Sequence, residues 1–314
     1  MFHMKEHRRE AGRITGRRGA ALPAGRLARL SLGAAVFSGA AAGAALAGAR
    51  LAARRFGTPE EKETRFLTPW ELGLPYEDVA FRTEDGLRLG AWWLPNPQAQ
   101  RTVVILSGHN GARQDTLGIG GALYRAGSNV LLLDNRGRGS SEGDRVSLGG
   151  HERLDARAAV GYALGRAPEV PLALLGYSMG GAVALMTAAD DRRVGAVVAD
   201  SPFASQRELL LRHLRERIGP LAGPTLALAS TFLDYRMSEV EPVRYVARIS
   251  PRPLLLIHGE QDDVTDPNDS RRMFAAAGEP KELWTVPEAA HVESYYADRE
   301  VYCRRVIGFL DRSL

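Results

Sequence analysis

The sequence contains a single cysteine, Cys303, in 314 residues. That excludes a disulfide framework and any cysteine-based zinc site. Long uncharged runs are equally scarce. Only residues 30–49 and 170–189 go twenty positions without a charged side chain, and an apolar fraction as ordinary as this excludes a polytopic membrane protein. No internal repeat or low-complexity tract follows Arg55. What is present is ordinary: 45% of the residues are apolar and 25% charged, which excludes a wholly disordered chain. The length suffices for one large hydrophobic core and is too short for three domains.

The charge is unevenly placed. The chain has a formal net charge of +4. Residues 1–55 hold eleven basic side chains, ten of them Arg, against only Glu6 and Glu10. This leader is therefore +9, and residues 56–314 are left with −5. A mildly acidic body is not drawn to phosphate backbones, so no nucleic-acid partner is expected. Arg136-Gly137-Arg138-Gly139 reads as loop turns rather than as an RNA contact.

Within the leader, Leu30 to Ala49 is flanked by Arg26 and Arg29 on one side and by Arg50, Arg54 and Arg55 on the other. As a helix rising 1.5 Å per residue, it is just long enough to cross a hydrocarbon layer. Only Leu30, Leu32, Val36, Phe37 and Leu46 are strongly apolar. Three readings follow: a single-pass anchor, an export signal cleaved near Ala45-Leu46-Ala47, and an Arg/Ala-rich disordered tail. In the first two, the eight preceding basic residues keep the N-terminus cytoplasmic and send the rest of the chain outside. Under the third reading the protein stays in the cytoplasm.

From about Pro69 onward, short apolar runs alternate with helical patterns. Val79–Arg82 and Leu87–Leu94 read as strands joined by a turn at Glu84-Asp85-Gly86. Thr102–Leu106, Asn129–Leu133, Leu172–Leu175, Ala196–Ala199, Leu254–Ile257 and Leu283–Val286 follow as strands that suit burial on both faces. Helices are expected over Arg113–Ala126, Glu152–Leu164, Met179–Ala189, Pro267–Ala277 and Asp298–Leu310. The alternation predicts one α/β domain over residues 56–314, with a mostly parallel central sheet flanked by helices. Pro202 to Pro251 is too long for an ordinary crossover. Its amphipathic patterns, at Leu209, Leu210, Leu214 and Ile218 and then at Leu226, Leu228, Phe232 and Leu233, predict a helical lid insertion over about 202–250.

The sharpest motif is Gly176-Tyr177-Ser178-Met179-Gly180. It follows the apolar run Leu172–Leu175 and opens the small, apolar helix that begins Gly181-Ala182-Val183. A serine at so tight a strand-to-helix turn is exposed in a strained backbone, and its neighbours must be glycine because a side chain would clash. Gly139-Ser140-Ser141-Glu142-Gly143 satisfies the same pattern but has neither the strand nor the helix, and reads as a loop. A nucleophilic serine needs a base, and the base needs an orienting carboxylate. In strand–turn–helix serine hydrolases the acid and the histidine follow the serine in that order. His109, His151, His213 and His258 all precede the candidate acids, and His291 alone comes after them. The acid belongs just past Leu254–Ile257, where Asp262, Asp263, Asp266 and Asp269 are all candidates.

From about Trp70 to the C-terminus the chain resembles the α/β-hydrolase fold superfamily. It is closest in pattern to bacterial serine esterases, lysophospholipases and serine aminopeptidase-like hydrolases. The residues carrying the likeness are Gly176-Tyr177-Ser178-Met179-Gly180, Asp134-Asn135-Arg136-Gly137-Arg138-Gly139-Ser140, His258-Gly259-Glu260-Gln261-Asp262 and His291. Gly73-Leu74-Pro75-Tyr76-Glu77-Asp78-Val79 and Asp85-Gly86 resemble the opening of the fold. The likeness implies Asp262, four residues after the His of the His-Gly pair, as the acid. It also implies an oxyanion hole made by the backbone N–H groups of Met179 and His109, with Ser107 standing where the family usually has histidine. The imidazole of His109 is expected to line the pocket. Asp134 and Arg136 are expected to fix a turn beside the site, and Asp200-Ser201-Pro202-Phe203 to shape the pocket. Cys303 is expected to be an inert core thiol.

The expected activity is acyl transfer from a carboxylic ester with an apolar acyl group, through Ser178, His291 and Asp262, with no metal or organic cofactor. The expected substrate is a small-molecule or lipid ester, and the leader implies membrane association. Peptidase, amidase and thioesterase activity on the same triad are the enzymatic alternatives. A non-catalytic, membrane-tethered binding protein is the alternative of another class.

Overall fold

The computed structural model describes residues 46–51, 57–58 and 67–314. The basic leader and most of the 30–49 run, with the anchor and signal expectations, lie outside them. The chain divides into units Met1–Ala47 and Gly48–Leu314, and the second carries the fold described here. Among the described residues no helix is long and apolar enough to cross a membrane.

Eight strands form one sheet: β1 (Glu77–Arg82), β2 (Arg88–Leu94), β3 (Arg101–Leu106), β4 (Ser128–Leu133), β5 (Leu172–Tyr177), β6 (Val194–Asp200), β7 (Leu254–Gly259) and β8 (Lys281–Val286). Their order is β1-β2-β4-β3-β5-β6-β7-β8. The β1–β2 hairpin and the β2–β4 pair are antiparallel, and every pair from β4 to β8 is parallel. The helices are α1 (Leu117–Arg125), α2 (Glu152–Arg166), α3 (Met179–Asp190), α4 (Gln206–Ile218), α5 (Ala222–Ser230), α6 (Pro267–Ala276), α7 (Ser294–Ala297) and α8 (Arg299–Ser313). This is the α/β-hydrolase fold expected from the sequence.

The central strands are apolar throughout because each presents alternate residues to two separate cores. On one face Val104, Leu106, Leu131 and Leu174 pack with Ala156 and Val160 of α2 and Ala182, Leu185 and Met186 of α3. On the other, Val103, Ile105, Val130, Leu132 and Leu175 pack with Ile119 and Leu123 of α1 and Tyr302, Val306 and Leu310 of α8. Each fully buried aliphatic side chain contributes roughly 1.5–3 kcal/mol. Such a sheet fixes the C-terminal ends of β5, β6 and β7, where ligands bind in open α/β folds.

Most helix limits fall within three residues of the expectation, and the largest difference is at one N-terminus. The predicted helix at 113–126 begins as a 3-10 turn at Arg113–Thr116 and becomes α-helical only at Leu117. Asp134 accounts for this: its Oδ1 accepts the Arg113 N–H at 3.0 Å, and its Oδ2 lies 3.3 Å from Arg113 Nε. The long interval after β6 holds α4, α5 and several single 3-10 turns before β7. Leu209 and Leu226 of its apolar patterns are buried, whereas Ile218 and Phe232 are exposed.

Candidate active site

The chain passes from Tyr177, the last residue of β5, to Met179, the first of α3, through Ser178 alone. Ser178 has φ +52° and ψ −117°, a region that costs a non-glycine residue about 1–3 kcal/mol. Its N–H donates to the Asp200 carbonyl at 2.8 Å, and its own carbonyl accepts the Ala182 N–H at 3.0 Å. The flanking glycines are set by close approach. A Cβ on Gly176 would stand 2.1 Å from the Gly180 oxygen, and one on Gly180 would stand 2.3 Å from the Leu106 oxygen.

His291 lies in the loop between β8 and α7. Its Nε2 is 2.8 Å from Ser178 Oγ, and its Nδ1 is 2.8 Å from Asp262 Oδ2. The next residue, Val292, is itself at φ +54°. Its N–H donates to Ser201 Oγ at 3.3 Å. Ser201 Oγ donates in turn to Asp200 Oδ1 at 3.1 Å.

Asp262 follows β7. Its Oδ1 accepts the N–H groups of Val264 and Thr265 at 2.9 and 2.8 Å. Its Oδ2 accepts from Thr265 Oγ1 at 2.8 Å and lies 3.2 Å from His258 Nε2, besides its contact with His291. Burial pushes the carboxyl upward, but hydrogen bonds to His258 and His291, the His291 charge and the Thr265 N–H outweigh it. The group is held well below the usual carboxylate range. Asp263, next along, is exposed.

A second carboxylate lies behind the site. Asp200, at the end of β6, is wholly buried, and burial raises its pKa against the hydrogen bonds from Tyr302 and Ser201. Neither it nor Ser201, Pro202 or Phe203 lines the cavity at Ser178. The segment was expected to shape the pocket; it packs beneath the site instead, because its side chains turn into the core.

The cavity has a volume of about 590 Å³ and opens onto Ser178 and His291. Ile119, Leu148, Leu209, Leu210, Val264 and Tyr295 form much of its apolar wall. His109 lines it too. The loop after β3 runs beside the serine, since a Cβ on Gly108 would lie 3.6 Å from Ser178 Cβ. Ser107 Oγ donates to the Gly111 carbonyl at 3.2 Å, and Asn135 Nδ2 donates to the Ser107 carbonyl at 3.2 Å. Those bonds tie the loop down where the family usually has histidine. Met179 begins α3, so its N–H is one of the free donors at a helix start.

The arrangement places a hydroxyl, an imidazole and an ionised carboxylate in line. It can take a proton from Ser178 Oγ and hold the resulting imidazolium. Sequence reasoning missed Thr265, His213 and Tyr295. His213 was within reach, since it falls one helical turn after Leu209 and lines the same cavity. Asp134 is buried and accepts from Ser140 N at 2.9 Å, a turn-fixing contact. Arg136 is buried against Asp155, Nη2 to Oδ1 at 2.7 Å, and reaches Asp85 at 2.9 Å. Cys303 is half-buried rather than in the core, and burial pushes its thiol pKa up, away from reactivity. Among the described residues no three His, Cys, Asp or Glu side chains converge as a metal site.

Known proteins share this arrangement of chain. Residues 97–246 match the family model described as serine aminopeptidase, S33. An uncharacterized protein of Mycobacterium tuberculosis is 33% identical over 237 residues, covering 74% of this chain and 78% of that one. The uncharacterized protein YfhR of Escherichia coli is 30% identical over 253 residues, covering 77% and 81%. Among solved structures, an esterase of Pyrococcus furiosus superposes with a TM-score of 0.70 at 26% identity, covering 82% of this chain and 98% of that one.

Proposed function

This chain belongs to the α/β-hydrolase superfamily, and we propose that within it the protein is a serine hydrolase that cleaves carboxylic esters carrying an apolar acyl group. One observation carries the proposal: His291 stands 2.8 Å from both Ser178 Oγ and Asp262 Oδ2.

In this reading Ser178 Oγ attacks the ester carbonyl carbon while His291 Nε2 takes the hydroxyl proton. The carbonyl oxygen becomes an oxyanion, received by the N–H groups of Met179 and His109. As the intermediate collapses, the bond to the leaving oxygen breaks and His291 gives that oxygen the proton. Water then attacks the acyl-enzyme with His291 again as base, and the carboxylic acid leaves Ser178 free. Asp262 holds the imidazole with its proton on Nδ1. The apolar wall formed by Leu209 and Leu210 of α4 supports reading the insertion as a lid over an acyl pocket.

A peptidase reading draws on the description of the matched family. An aminopeptidase needs a carboxylate for the substrate ammonium. Asp115 is the one carboxylate among the described residues that line the cavity, and Ile119, Leu148, Leu209 and Leu210 make its wall mainly apolar. An uncharged acyl group, and with it an ester, is favoured on that ground. A panel of p-nitrophenyl esters of increasing chain length, run beside aminoacyl anilides with Ser178→Ala as blank, tests both readings. Ester turnover with little anilide turnover is expected. Wild-type ester turnover in Ser178→Ala, or no labelling of Ser178 by a fluorophosphonate, would sink the proposal.

The +9 leader and the uncharged run at 30–49 support delivery of the hydrolase domain outside the cytoplasm, tethered or released. Protease protection of the full chain in spheroplasts tests this; a domain resistant to external protease overturns it.

A further inference from the structure

The acid of the candidate triad is shared. His258, on β7, is wholly buried, and its Nε2 lies 3.2 Å from Asp262 Oδ2, the oxygen that also meets His291 Nδ1 at 2.8 Å. Two more oxygens face the same nitrogen: Thr265 Oγ1 at 3.3 Å and the Thr265 carbonyl at 3.4 Å. A carboxylate and a carbonyl only accept, so Nε2 carries the ring proton. Nδ1 is then left to pair with Ser270 Oγ, at 2.7 Å on α6. The five groups form one continuous line: Ser178, His291, Asp262, His258, Ser270.

We infer that His258 is a positioning residue for the hydrolytic reaction, fixing the Asp262 carboxylate and taking a share of its charge that would otherwise fall on His291. The inference rests on the proposed triad. Its physical basis is competition for one oxygen. Each donor on Oδ2 disperses part of the negative charge. With His258 present, Oδ2 is divided among three donors, His291 Nδ1, Thr265 Oγ1 and His258 Nε2. Remove His258 and only Thr265 Oγ1 and His291 remain on Oδ2; more of the charge then falls on His291, so the base is expected to become available only at higher pH.

Other charged and titratable groups around His291 form the background to this effect: Asp200 at the end of β6, His109 and Asp115 after β3, His213 from α4, Tyr177 of β5, and Tyr295 and Tyr296 of α7. They are unchanged in the variants proposed, so they do not move the comparison. Ser270 and Thr265 do not titrate.

The test is kcat/KM for a p-nitrophenyl ester from about pH 5 to about pH 9, in the full chain, for wild type, His258→Leu and His258→Gln, with Ser178→Ala as blank. Leucine removes the donor; glutamine places an amide N–H where Nε2 was. The expected result for His258→Leu is an acidic limb moved to higher pH, worth about threefold to tenfold in rate at the foot of the limb beyond any loss on the plateau. His258→Gln should return the limb close to wild type. A limb in the wild-type position in His258→Leu, whatever the plateau, overturns the inference, as does an equal displacement in His258→Gln. If His258→Leu fails to give a cooperative melt, Ser270→Ala replaces it. That variant should move the limb in the same direction by less, and an unmoved limb overturns the inference. Turnover surviving in the Ser178→Ala blank would instead overturn the hydrolase reading, so the two failures are distinct.

Discussion

Gly180 lies so close to the end of β3 that a Cβ on it would stand 2.3 Å from the Leu106 carbonyl oxygen and 2.6 Å from that of Ser107. The start of α3 and the loop carrying His109 are therefore locked together by the absence of one carbon atom. Gly180→Ala must push these backbones apart. The expected outcome is a drop of about 10²-fold in the rate of fluorophosphonate labelling of Ser178, the scale of a displacement near 1 Å. An undiminished labelling rate in a folded Gly180→Ala would contradict this.

Asp262 and Asp263 are neighbours in sequence and opposites in surroundings, one buried under five donors and the other in solvent. Asp262→Asn should lower kcat by about 10³- to 10⁴-fold with the fold intact, because the amide presents the wrong partner to His291 Nδ1. Asp263→Asn should stay within about twofold of wild type. Steady-state kinetics on one ester decide it, and equal losses in the two variants would refute the assignment. Since Asp262 is held well below the ordinary range, it stays ionised throughout the working pH range. The acidic limb of the rate profile should therefore disappear in Asp262→Asn only if His291 ceases to act as base.

How much of this was legible beforehand follows from how local each constraint is. The turn at Ser178 is set within five residues, so its glycines show in the sequence. The strands show because burial on both faces leaves unbroken apolar runs. His291 was singled out by chain order. Choosing Asp262 among four acids required the family resemblance, because composition says nothing about which carboxylate turns inward; the Val264 and Thr265 N–H groups do that. Asp200 was expected to shape the pocket and His258 stood in the His-Gly pair, but the contacts that each makes were not legible. Asp200 meets Ser294 from beyond β8, and His258 meets Ser270 of α6, contacts made only once the chain has folded; Asp262 is only four residues from His258, yet nothing in the letters says that the two side chains turn toward each other.

The Arg136–Asp155 pair offers a stability test remote from the reaction. Asp155 accepts the Arg136 N–H and Nε at 2.9 Å each, and both side chains are buried. Asp155→Ala leaves a guanidinium partly unpaired in the interior and should cost about 3–5 kcal/mol. Urea unfolding measures it, and a loss below about 1 kcal/mol would show that Asp85 alone suffices.

Asp200 makes the opposite kind of prediction. Burial raises its pKa in the native state, so the folded chain binds the proton more tightly than the unfolded one. Its contribution is then greatest at low pH and is lost as pH rises through the folded pKa. Asn cannot titrate, yet its Oδ1 still accepts from Ser201 and Ser294. The unfolding free energy of Asp200→Asn minus that of wild type should therefore increase as pH rises from about 4, near the unfolded carboxylate's value, to about 8. A difference that stays constant or shrinks over that range rules the argument out.

The cavity is built by two parties with separate interests. Ser178, Asp262 and His291 ride on the ends of β5, β7 and β8, where the sheet dictates their spacing. Leu209, Leu210 and His213 reach the cavity from α4, which belongs to the long excursion between β6 and β7. The wall can therefore be rewritten while the spacing of Ser178, Asp262 and His291 is kept. Exchanging this excursion would change what the cavity admits and leave the geometry at the strand ends as it is.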